Sequence, residues 1–302
     1  MSKVIFTSFA GGSTQFRASA DRIRREAIET GFFDLVYVYD DLRHPKNLKE
    51  FFKKNSAKLI EKGYGFWAWK PYLLLDVFKS SNNGDVIVYA DSGCQISNFG
   101  KSKLLSNLLI CRTYGTLFFK MPGYIEKNWT KKKLLECLGV LNDEKILDSP
   151  QVQATYFYIE VNDYNQTMLL EWADLCVREN FAFINDDEST GVNNDTFCEH
   201  RHDQSILSVI VKKYRMHIQN YECHFRSIDY FINSKVLLFP IHSIRNRSSE
   251  SKHYFAFNFS SLERINSSKK ISLLCNKVYF LINYLKVAFF FVIRLTLKKI
   301  SQ

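Results

Sequence analysis

One apolar run in this chain ends in a carboxylate that could bind a cation. Residues 85–90 have the pattern of a buried strand, and Asp91, Ser92 and Gly93 follow directly. Carboxylate oxygens suit Mg²⁺ and Mn²⁺, and a glycine beside them lets a ligand approach the backbone closely. A strand that ends in Asp is also common where the side chain only caps a turn. Asp91 alone is therefore compatible with cation binding and with a purely structural role in a turn.

A second charged group precedes an apolar run at helical spacing. It comprises His200, Arg201, His202, Asp203 and Gln204. Side chains of the Asp and His types serve as general bases that take a proton from a hydroxyl group. The same pattern fits a helix N-terminus at which an acidic side chain complements the helix dipole. The residue types do not decide between these interpretations.

Aromatic and basic residues supply two further groups. Trp67, Trp69 and Lys70 could stack on a sugar or base and pair with a phosphate, although two Trp at this spacing could equally pack in a core. Arg245 and Arg247 could each bind phosphate oxygens in a bidentate manner. A solvated basic loop is the alternative for these arginines.

Three blocks occur in a fixed order: GYGFWAWKPYLLL at 63–75, GDVIVYADSGCQI at 84–96 and HRHDQSILSVIVKKY at 200–214. Together they resemble the nucleotide-sugar glycosyltransferases of the GT-A fold, in particular little-characterised bacterial enzymes of O-antigen and capsule synthesis. The resemblance spans most of residues 1–250. It implies a Rossmann-like α/β fold with a mixed, mostly parallel sheet flanked by helices. It also implies a hexosyltransferase-like enzyme that moves a sugar from a nucleoside-diphosphate sugar to a hydroxyl of a glycan or lipid-linked acceptor.

The resemblance also assigns a donor site. In the GT-A fold an Asp-x-Asp motif binds metal and ribose; here Asp91 matches the first Asp, and Gly93 replaces the second. A requirement for Mn²⁺ or Mg²⁺ is therefore open, and His242 is the expected second metal ligand beside Asp91. The expected donor-binding residues are Thr7, Asp40, Trp67, Trp69, Lys70, Asp91, Ser92, Gly93, Arg245 and Arg247.

The catalytic and acceptor assignments follow from the third block. Asp203 and Gln204 match the late Asp-Gln motif of these enzymes, so Asp203 is expected to hold sugar hydroxyls or to act as a base. The expected acceptor-side residues are His200, His202, Gln153 and Trp129. The sequence does not decide between a retaining and an inverting reaction.

Periodicity predicts the elements that position these residues. A strand at 3–8, a helix at 16–30 and a strand at 35–39 form a βαβ opening, which favours a parallel sheet. Helical structure is predicted for residues 48–62 and 101–150, and strands for 152–160 and 236–239. Ligands of open α/β sheets bind beyond the carboxyl ends of the strands, where Asp91 is expected.

Composition separates the last segment from the rest. The formal charge of the 302 residues is +10, yet residues 264–302 hold eight Lys or Arg and no acidic residue, so no nucleic-acid-binding core is indicated. We predict a transferase domain at 1–260 and a basic amphipathic helical tail at 261–302 that binds an anionic membrane surface. A core helix is the alternative for this tail.

Seven scattered cysteines and the absence of a signal-peptide pattern favour a cytoplasmic protein, peripheral on the inner face of the membrane. Two other function classes stay open from the sequence. A nucleotidyltransferase of similar α/β fold would also use a carboxylate-bound metal, although residues 10–13 are a poor match to its glycine-rich loop. A non-enzymatic basic membrane-binding protein would explain the charge but not the three ordered blocks.

Overall fold

A seven-stranded mixed sheet lies at the centre of the computed structural model, which describes residues 2–187, 193–225 and 234–251. Within these ranges no helix has the length and apolar character needed to cross a bilayer. The predicted tail, residues 261–302, and its boundary at residue 260 lie outside the described residues.

The strand order shows which parts of the sheet are parallel. The sheet contains β1 (Val4–Ala10), β2 (Leu35–Asp40), β3 (Val86–Ala90), β5 (Thr116–Ile125), β6 (Pro150–Val152), β7 (Tyr156–Glu160) and β8 (Ile218–Gln219). Its order is β2-β1-β3-β7-β5-β6, with β8 beside β5. Strand β1 is parallel to β2 and β3, and β8 is parallel to β5, whereas β7 is antiparallel to β3 and β5, and β6 to β5. Strands β1, β2, β3, β5 and β8 therefore share one direction, which confirms the mixed, mostly parallel α/β fold.

Helices cover both faces of this sheet. The long ones are α1 (Thr14–Thr30), α2 (Lys46–Lys54), α4 (Trp69–Lys79), α5 (Lys101–Tyr114), α9 (Asp163–Phe181) and α10 (Asp203–Lys213). The short ones are α6 (Glu126–Trp129), α7 (Lys132–Cys137) and α8 (Glu144–Leu147), whereas α3 (Lys62–Phe66) has left-handed backbone angles and is a turn rather than a regular helix. A small separate sheet pairs β4 (Cys94–Ile96) with β9 (Ile241–Ser243) in antiparallel register.

The alternation of side chains along the strands divides the core into two layers. Ile87 and Tyr89 of β3 belong to the apolar cluster that also contains residues of α4, α9 and α10, whereas Val86, Val88 and Ala90 belong to the cluster with α1 and α5. Successive side chains of a strand point to opposite faces, so a strand covered on both sides is apolar throughout. This explains why residues 86–90 have an uninterrupted apolar run.

Three predicted elements were wrong. The helical prediction for 101–150 fails at β5, whose aromatic side chains Phe118 and Phe119 are buried on opposite faces of the sheet. The helix predicted for 48–62 ends at Lys54 and is followed by a 3-10 turn at Ser56–Lys58. The strand predicted for 236–239 is a 3-10 helix, Ser234–Leu238, and the strand follows as β9.

A left-handed turn at residues 63–67, the start of the first block, leads into α4. Gly63, Tyr64, Gly65, Phe66 and Trp67 all have positive φ, between 57° and 88°. Each non-glycine residue in this region costs roughly 1–2 kcal/mol, so the turn must be held by its surroundings. One such contact is the hydrogen bond from the indole Nε1 of Trp69 to the carbonyl oxygen of Gly63, at 3.0 Å.

Substitution of Gly63 is expected to disrupt this turn. In Gly63→Ala the new Cβ would lie 2.2 Å from the Trp67 ring, in a backbone with φ of 65°. Gly139→Ala is a matched control, since φ is 69° there and nothing lies within 4 Å of the new Cβ. We expect both variants to lose about 1–2 kcal/mol of unfolding free energy for the backbone, and Gly63→Ala to lose about 1–3 kcal/mol more. Equal losses in urea unfolding would contradict the close packing of Trp67 on Gly63.

Candidate active site

A cleft of about 770 Å³ opens at the carboxyl ends of β1 and β3. We call it the strand-end cleft. Its walls come from the loops that follow these two strands, the left-handed turn, the start of α10 and the segment after β9. The polar and charged residues that line it include Lys70, Asp91, Ser92, Arg201, His202, Asp203, Gln204, His224, Arg245 and Arg247. This is the edge of an open α/β sheet at which ligands bind.

Lys70, Asp91 and Asp203 meet in the floor of this cleft. The Nζ atom of Lys70 lies 3.2 Å from Oδ1 of Asp91 and 2.6 Å from Oδ2 of Asp203. It also donates a hydrogen bond to the carbonyl oxygen of Ala154, at 3.0 Å. The side chains of Lys70 and Asp203 are 2% and 8% exposed, whereas that of Asp91 is 33% exposed. We call these three residues the Lys70 triad; its exposed member, Asp91, is the carboxylate best placed to meet a ligand.

Three separate parts of the chain hold the triad in place. Lys70 lies in the first turn of α4, directly after the left-handed turn. Asp91 is fixed by its backbone N–H, which donates to the carbonyl oxygen of Thr155 at 2.9 Å, and by the Tyr89 hydroxyl, which donates to Oδ1 at 2.6 Å. Asp203 is the first residue of α10, and the preceding His202 has a φ of 52°. Residues with positive φ thus precede both Lys70 and Asp203, and such backbone strain is common at functional sites.

Burial and neighbouring charges have opposing effects on the pKa values of Asp203 and Lys70. Burial raises the pKa of Asp203 to about 6, although the ammonium of Lys70 opposes this shift. Burial alone would lower the pKa of Lys70, but the carboxylates of Asp203 and Asp91 outweigh it and the pKa is raised. Lys70 therefore stays protonated, whereas Asp203 changes its charge near pH 6. A carboxylate whose pKa is raised toward the working pH is a stronger base than an ordinary one.

Most of the expected donor residues meet at the strand-end cleft. Those that line it are Trp67, Trp69, Lys70, Asp91, Ser92, Gly93, Arg245 and Arg247, and the expected residues His202, Asp203 and Gln204 join them. Lys70 is paired with two carboxylates, so it is not a free cation that awaits a phosphate. Arg245 and Arg247 also line the cleft and are exposed, and the backbone of Arg245 lies close to Gly93.

Two expected donor residues lie away from the cleft lining. Thr7 is fully buried in the middle of β1, and its hydroxyl donates to the carbonyl oxygen of Tyr37 at 2.9 Å. The strand continues to Ala10, so the residues that reach the cleft from β1 are Phe9 and Ala10. Asp40 ends β2, but its Oδ1 accepts hydrogen bonds from the backbone of Leu42 and Arg43 and closes its own turn.

Three expected acceptor residues are also absent from the lining. Gln153 is fully buried and donates to the carbonyl oxygen of Tyr156, at 3.2 Å. The Nδ1 atom of His200 accepts a hydrogen bond from the backbone N–H of Lys131, at 3.3 Å. Trp129 is half-buried and packs against Tyr124, with 4.8 Å between ring centroids. Its contribution to the cleft is indirect, since it lies under Arg201.

The structure does not place His242 across the cleft from Asp91. His242 is fully buried in β9, where its Nε2 atom lies 2.9 Å from the carbonyl oxygen of Phe239. His224 lines the cleft instead, and burial lowers its pKa to about 4 while the Asp91 carboxylate opposes the shift. No sequence motif points to His224, because it belongs to none of the three blocks.

The donor atoms around Asp91 limit how a divalent cation could be held. Oδ1 of Asp91 is engaged by Tyr89 and Lys70. Across the described parts of the chain, no three His, Cys, Asp or Glu side chains are grouped as metal ligands. The residues present therefore do not form a metal site on their own, and a cation here would depend on the phosphate oxygens of a bound ligand.

Arg201 is a second functional candidate that the motif assignments left out. It lines the cleft, and its guanidinium carbon lies 4.5 Å from the centroid of the Tyr124 ring and 5.7 Å from that of Trp129. Stacking on two aromatic rings holds the planar guanidinium in one orientation. Its position between His200 and His202 in the third block was the available signal.

Comparisons with known proteins add structural neighbours only. No protein-family model matches the chain, and no curated protein matches it. Mouse xyloside xylosyltransferase 1 is similar at 10% identity and a TM-score of 0.41, over 80% of this chain and 97% of that one. The galactosyltransferase LgtC, solved with donor and acceptor sugar analogs, is similar at 9% identity and a TM-score of 0.41, over 87% and 96%.

A glycosyltransferase involved in glycosylation of the major capsid of PBCV-1 is similar at 9% identity and a TM-score of 0.40, over 80% of this chain and 94% of that one. These identities are low and all three TM-scores are below 0.5. We therefore base the functional argument on the geometry of the strand-end cleft.

Proposed function

We propose that this chain is a glycosyltransferase of GT-A-like architecture that transfers a sugar from a nucleoside-diphosphate sugar to a hydroxyl group. One observation carries the proposal: Lys70, Asp91 and Asp203, one from each of the three ordered blocks, meet as the Lys70 triad in the floor of the strand-end cleft. Residues so distant in sequence meet there at the edge of the sheet where nucleotides bind in open α/β folds.

The donor side of the cleft is basic and aromatic. Arg245 and Arg247 present exposed guanidinium groups, which suit the oxygens of a diphosphate because each can donate two parallel hydrogen bonds. Tyr64 and Trp67 of the left-handed turn offer aromatic faces to a base or sugar. Asp91 lies between these groups, where its free oxygen could accept hydrogen bonds from donor hydroxyls.

Asp203 is the group we assign to proton transfer. The acceptor oxygen forms a bond to the anomeric carbon, the bond from that carbon to the diphosphate breaks, and the acceptor proton passes to a base. Ionised Asp203 can take this proton because burial raises its pKa to about 6. Lys70 holds the carboxylate in place at 2.6 Å and balances its charge before transfer. A divalent cation, where the donor brings one, would add charge stabilisation at the diphosphate.

The rate is expected to depend on pH through Asp203. The pKa of its carboxyl is raised to about 6, so the group is ionised above this pH and protonated below it. Because the base must be ionised, kcat/KM should fall as the pH falls through about 6, by roughly tenfold per unit well below it. A profile between about pH 5 and 8 tests this, with Asp203→Asn expected to be slow and to lack the limb near 6. A wild-type profile that is flat through this range would contradict the assignment.

A substrate screen tests the proposed reaction itself. UDP-, GDP- and CMP-sugars are incubated with the protein, with and without Mn²⁺, and hydrolysis is measured; nucleoside triphosphates form a parallel series. We expect the protein to hydrolyse one of the nucleotide sugars, or that sugar to raise the thermal unfolding temperature of the protein. A response to triphosphates alone would favour the nucleotidyltransferase alternative, and no response to any nucleotide would refute both enzyme assignments.

The physiological setting is a finer part of the proposal. We propose a glycan or lipid-linked acceptor in cell-surface polysaccharide synthesis, hexosyl transfer, and a position on the inner face of the cytoplasmic membrane. The proposed membrane location is supported by the composition of residues 264–302, which include eight basic and no acidic residues. Deletion of residues 267–302 should release the protein from anionic vesicles and leave nucleotide binding intact. Unchanged binding to the vesicles would refute the role of the tail.

A further inference from the structure

A buried ion pair lies on α1, directly behind the strand-end cleft. Arg22 is fully buried, and its Nη1 atom donates to the two carboxylate oxygens of Glu26, at 2.9 and 3.0 Å. Neither residue lines the cleft, so neither is placed to touch a ligand. A buried ion pair is costly unless its remaining donors and acceptors find partners. The Nε atom of Arg22 is buried without a hydrogen-bond partner among the described residues, but its Nη2 atom and both carboxylate oxygens of Glu26 have further partners, and these show what the pair does.

The second terminal nitrogen of Arg22 joins two segments that are far apart in sequence. Its Nη2 atom donates to the carbonyl oxygens of Ser92 at 2.6 Å, Cys94 at 2.8 Å and Asn246 at 3.2 Å. Ser92 belongs to the loop that follows Asp91, and Cys94 is the first residue of β4. Asn246 belongs to the segment after β9. One guanidinium therefore connects both walls of the donor side.

Glu26 makes the same connection from the other end of the ion pair. Its Oε2 atom accepts from the backbone N–H of Ile96, at 2.9 Å, and its Oε1 atom accepts from the hydroxyl of Ser251, at 2.6 Å. The two segments also touch directly, because the N–H of Asn246 donates to the carbonyl oxygen of Gly93 at 2.9 Å. The pair thus lies at the junction of the two loops.

We infer that Arg22 and Glu26 are positioning residues of the donor site. They hold the loop of Asp91 and the segment of Arg245 and Arg247 at one fixed separation, so that a carboxylate and two guanidinium groups act on the same donor molecule. The inference rests on the proposed function, since it assigns these groups to one diphosphate sugar. Arg245 itself has a φ of 51°, a conformation that the surrounding contacts must maintain.

Lysine cannot replace Arg22 in this arrangement. The planar fork of a guanidinium reaches a carboxylate on one side and carbonyl oxygens on the other, whereas an ammonium is a single point charge. In Arg22→Lys the ion pair with Glu26 can persist while the carbonyl contacts are lost. The variant should therefore fold, with Arg245 held beside the Asp91 loop only by the pairing of β4 with β9 and by the hydrogen bond from Asn246 to Gly93.

The test is a double-mutant cycle on nucleotide binding. Kd values for UDP and GDP are measured by calorimetry for the wild type, Arg22→Lys, Arg245→Gln and the double variant. Each single substitution should weaken binding of the preferred nucleotide about tenfold, and the double variant should be little weaker than either one. Arg24→Lys is the matched control on the same helix, because the guanidinium of Arg24 donates to the carbonyl oxygen of Val38 in β2. It should bind the nucleotide as the wild type does.

The outcomes separate this inference from the proposed function. Independent effects, with the double variant about a hundredfold weaker, would overturn the positioning role and leave the enzyme assignment standing. A wild type that binds neither nucleotide and no nucleotide sugar would overturn the proposed function, and the inference with it. If Arg22→Lys does not fold, Glu26→Gln replaces it in the cycle, since the amide keeps the shape of the carboxylate and loses its charge.

Discussion

Alanine at position 91 is expected to abolish both sugar transfer and donor hydrolysis while the fold stays intact. Asp91 is the exposed member of the Lys70 triad, and its loss removes the carboxylate that faces the cleft. We expect kcat/KM to fall at least about 100-fold, as when one preorganised polar group of an active site is removed. The loss of the Tyr89 hydrogen bond should lower the free energy of unfolding by only about 1–2 kcal/mol.

Two further variants show whether the charge of Asp91 or its shape matters. Asp91→Asn keeps an oxygen that can accept from Tyr89 but loses the negative charge, and we expect it to be nearly as inactive as Asp91→Ala. Asp174→Ala removes an exposed carboxylate that pairs with Arg178 on α9, and it should retain activity. Full activity in Asp91→Ala would refute the assignment of the donor site to this cleft.

Replacement of Lys70 by methionine is expected to damage both stability and catalysis. The ammonium is almost fully buried and pairs with two carboxylates, so its removal leaves two negative charges without a partner. Loss of one member of a buried ion pair typically costs about 3–5 kcal/mol. The pKa of Asp203 should rise further above 6, because the cation that lowers it is gone. The limb of the pH profile of kcat/KM should accordingly move to higher pH.

Lys79→Met gives the matched control for this substitution. Lys79 lies on the same helix, is exposed and donates a hydrogen bond to the side chain of Asn47. Urea unfolding should show a change within about 0.5 kcal/mol for this variant. If Lys70→Met were as stable as Lys79→Met and had the wild-type pH profile, the contacts of the Lys70 triad would be refuted.

The ordered blocks predicted which residues meet at the strand-end cleft better than they predicted the contacts within it. Asp91 and the start of α10 could be placed because apolar runs mark the strand end and the helix. The pairing of Lys70 with both Asp91 and Asp203 could not be predicted, since it depends on how α4, β3 and α10 pack together in three dimensions. A sequence pattern describes neighbours along one element, and it contains no distance between elements.

The wrong placements of Thr7, His242 and β5 can each be explained. Thr7 was assigned to the end of a strand that in fact continues to Ala10, and an error of this size at a strand end decides whether a side chain faces the core or the cleft. His242 was expected in the cleft because it follows an apolar run, but that run forms a 3-10 helix and the histidine enters a buried strand. The helical prediction at β5 overlooked a local β preference, because Thr116, Phe118 and Phe119 are of types that favour strands.

The contact between Arg22 and Asn246 has a consequence for how the chain folds during synthesis. The two residues are 224 positions apart, so the first helix must wait for its last carbonyl partner until nearly all described residues have left the ribosome. At about 5–20 residues per second this delay is roughly 10–45 s, far longer than a helix needs to form. Until then the contact between Arg22 and Asn246 cannot form. We therefore expect nucleotide binding, where it depends on this contact, to arise late in synthesis, and truncated chains that end before β9 to lack it.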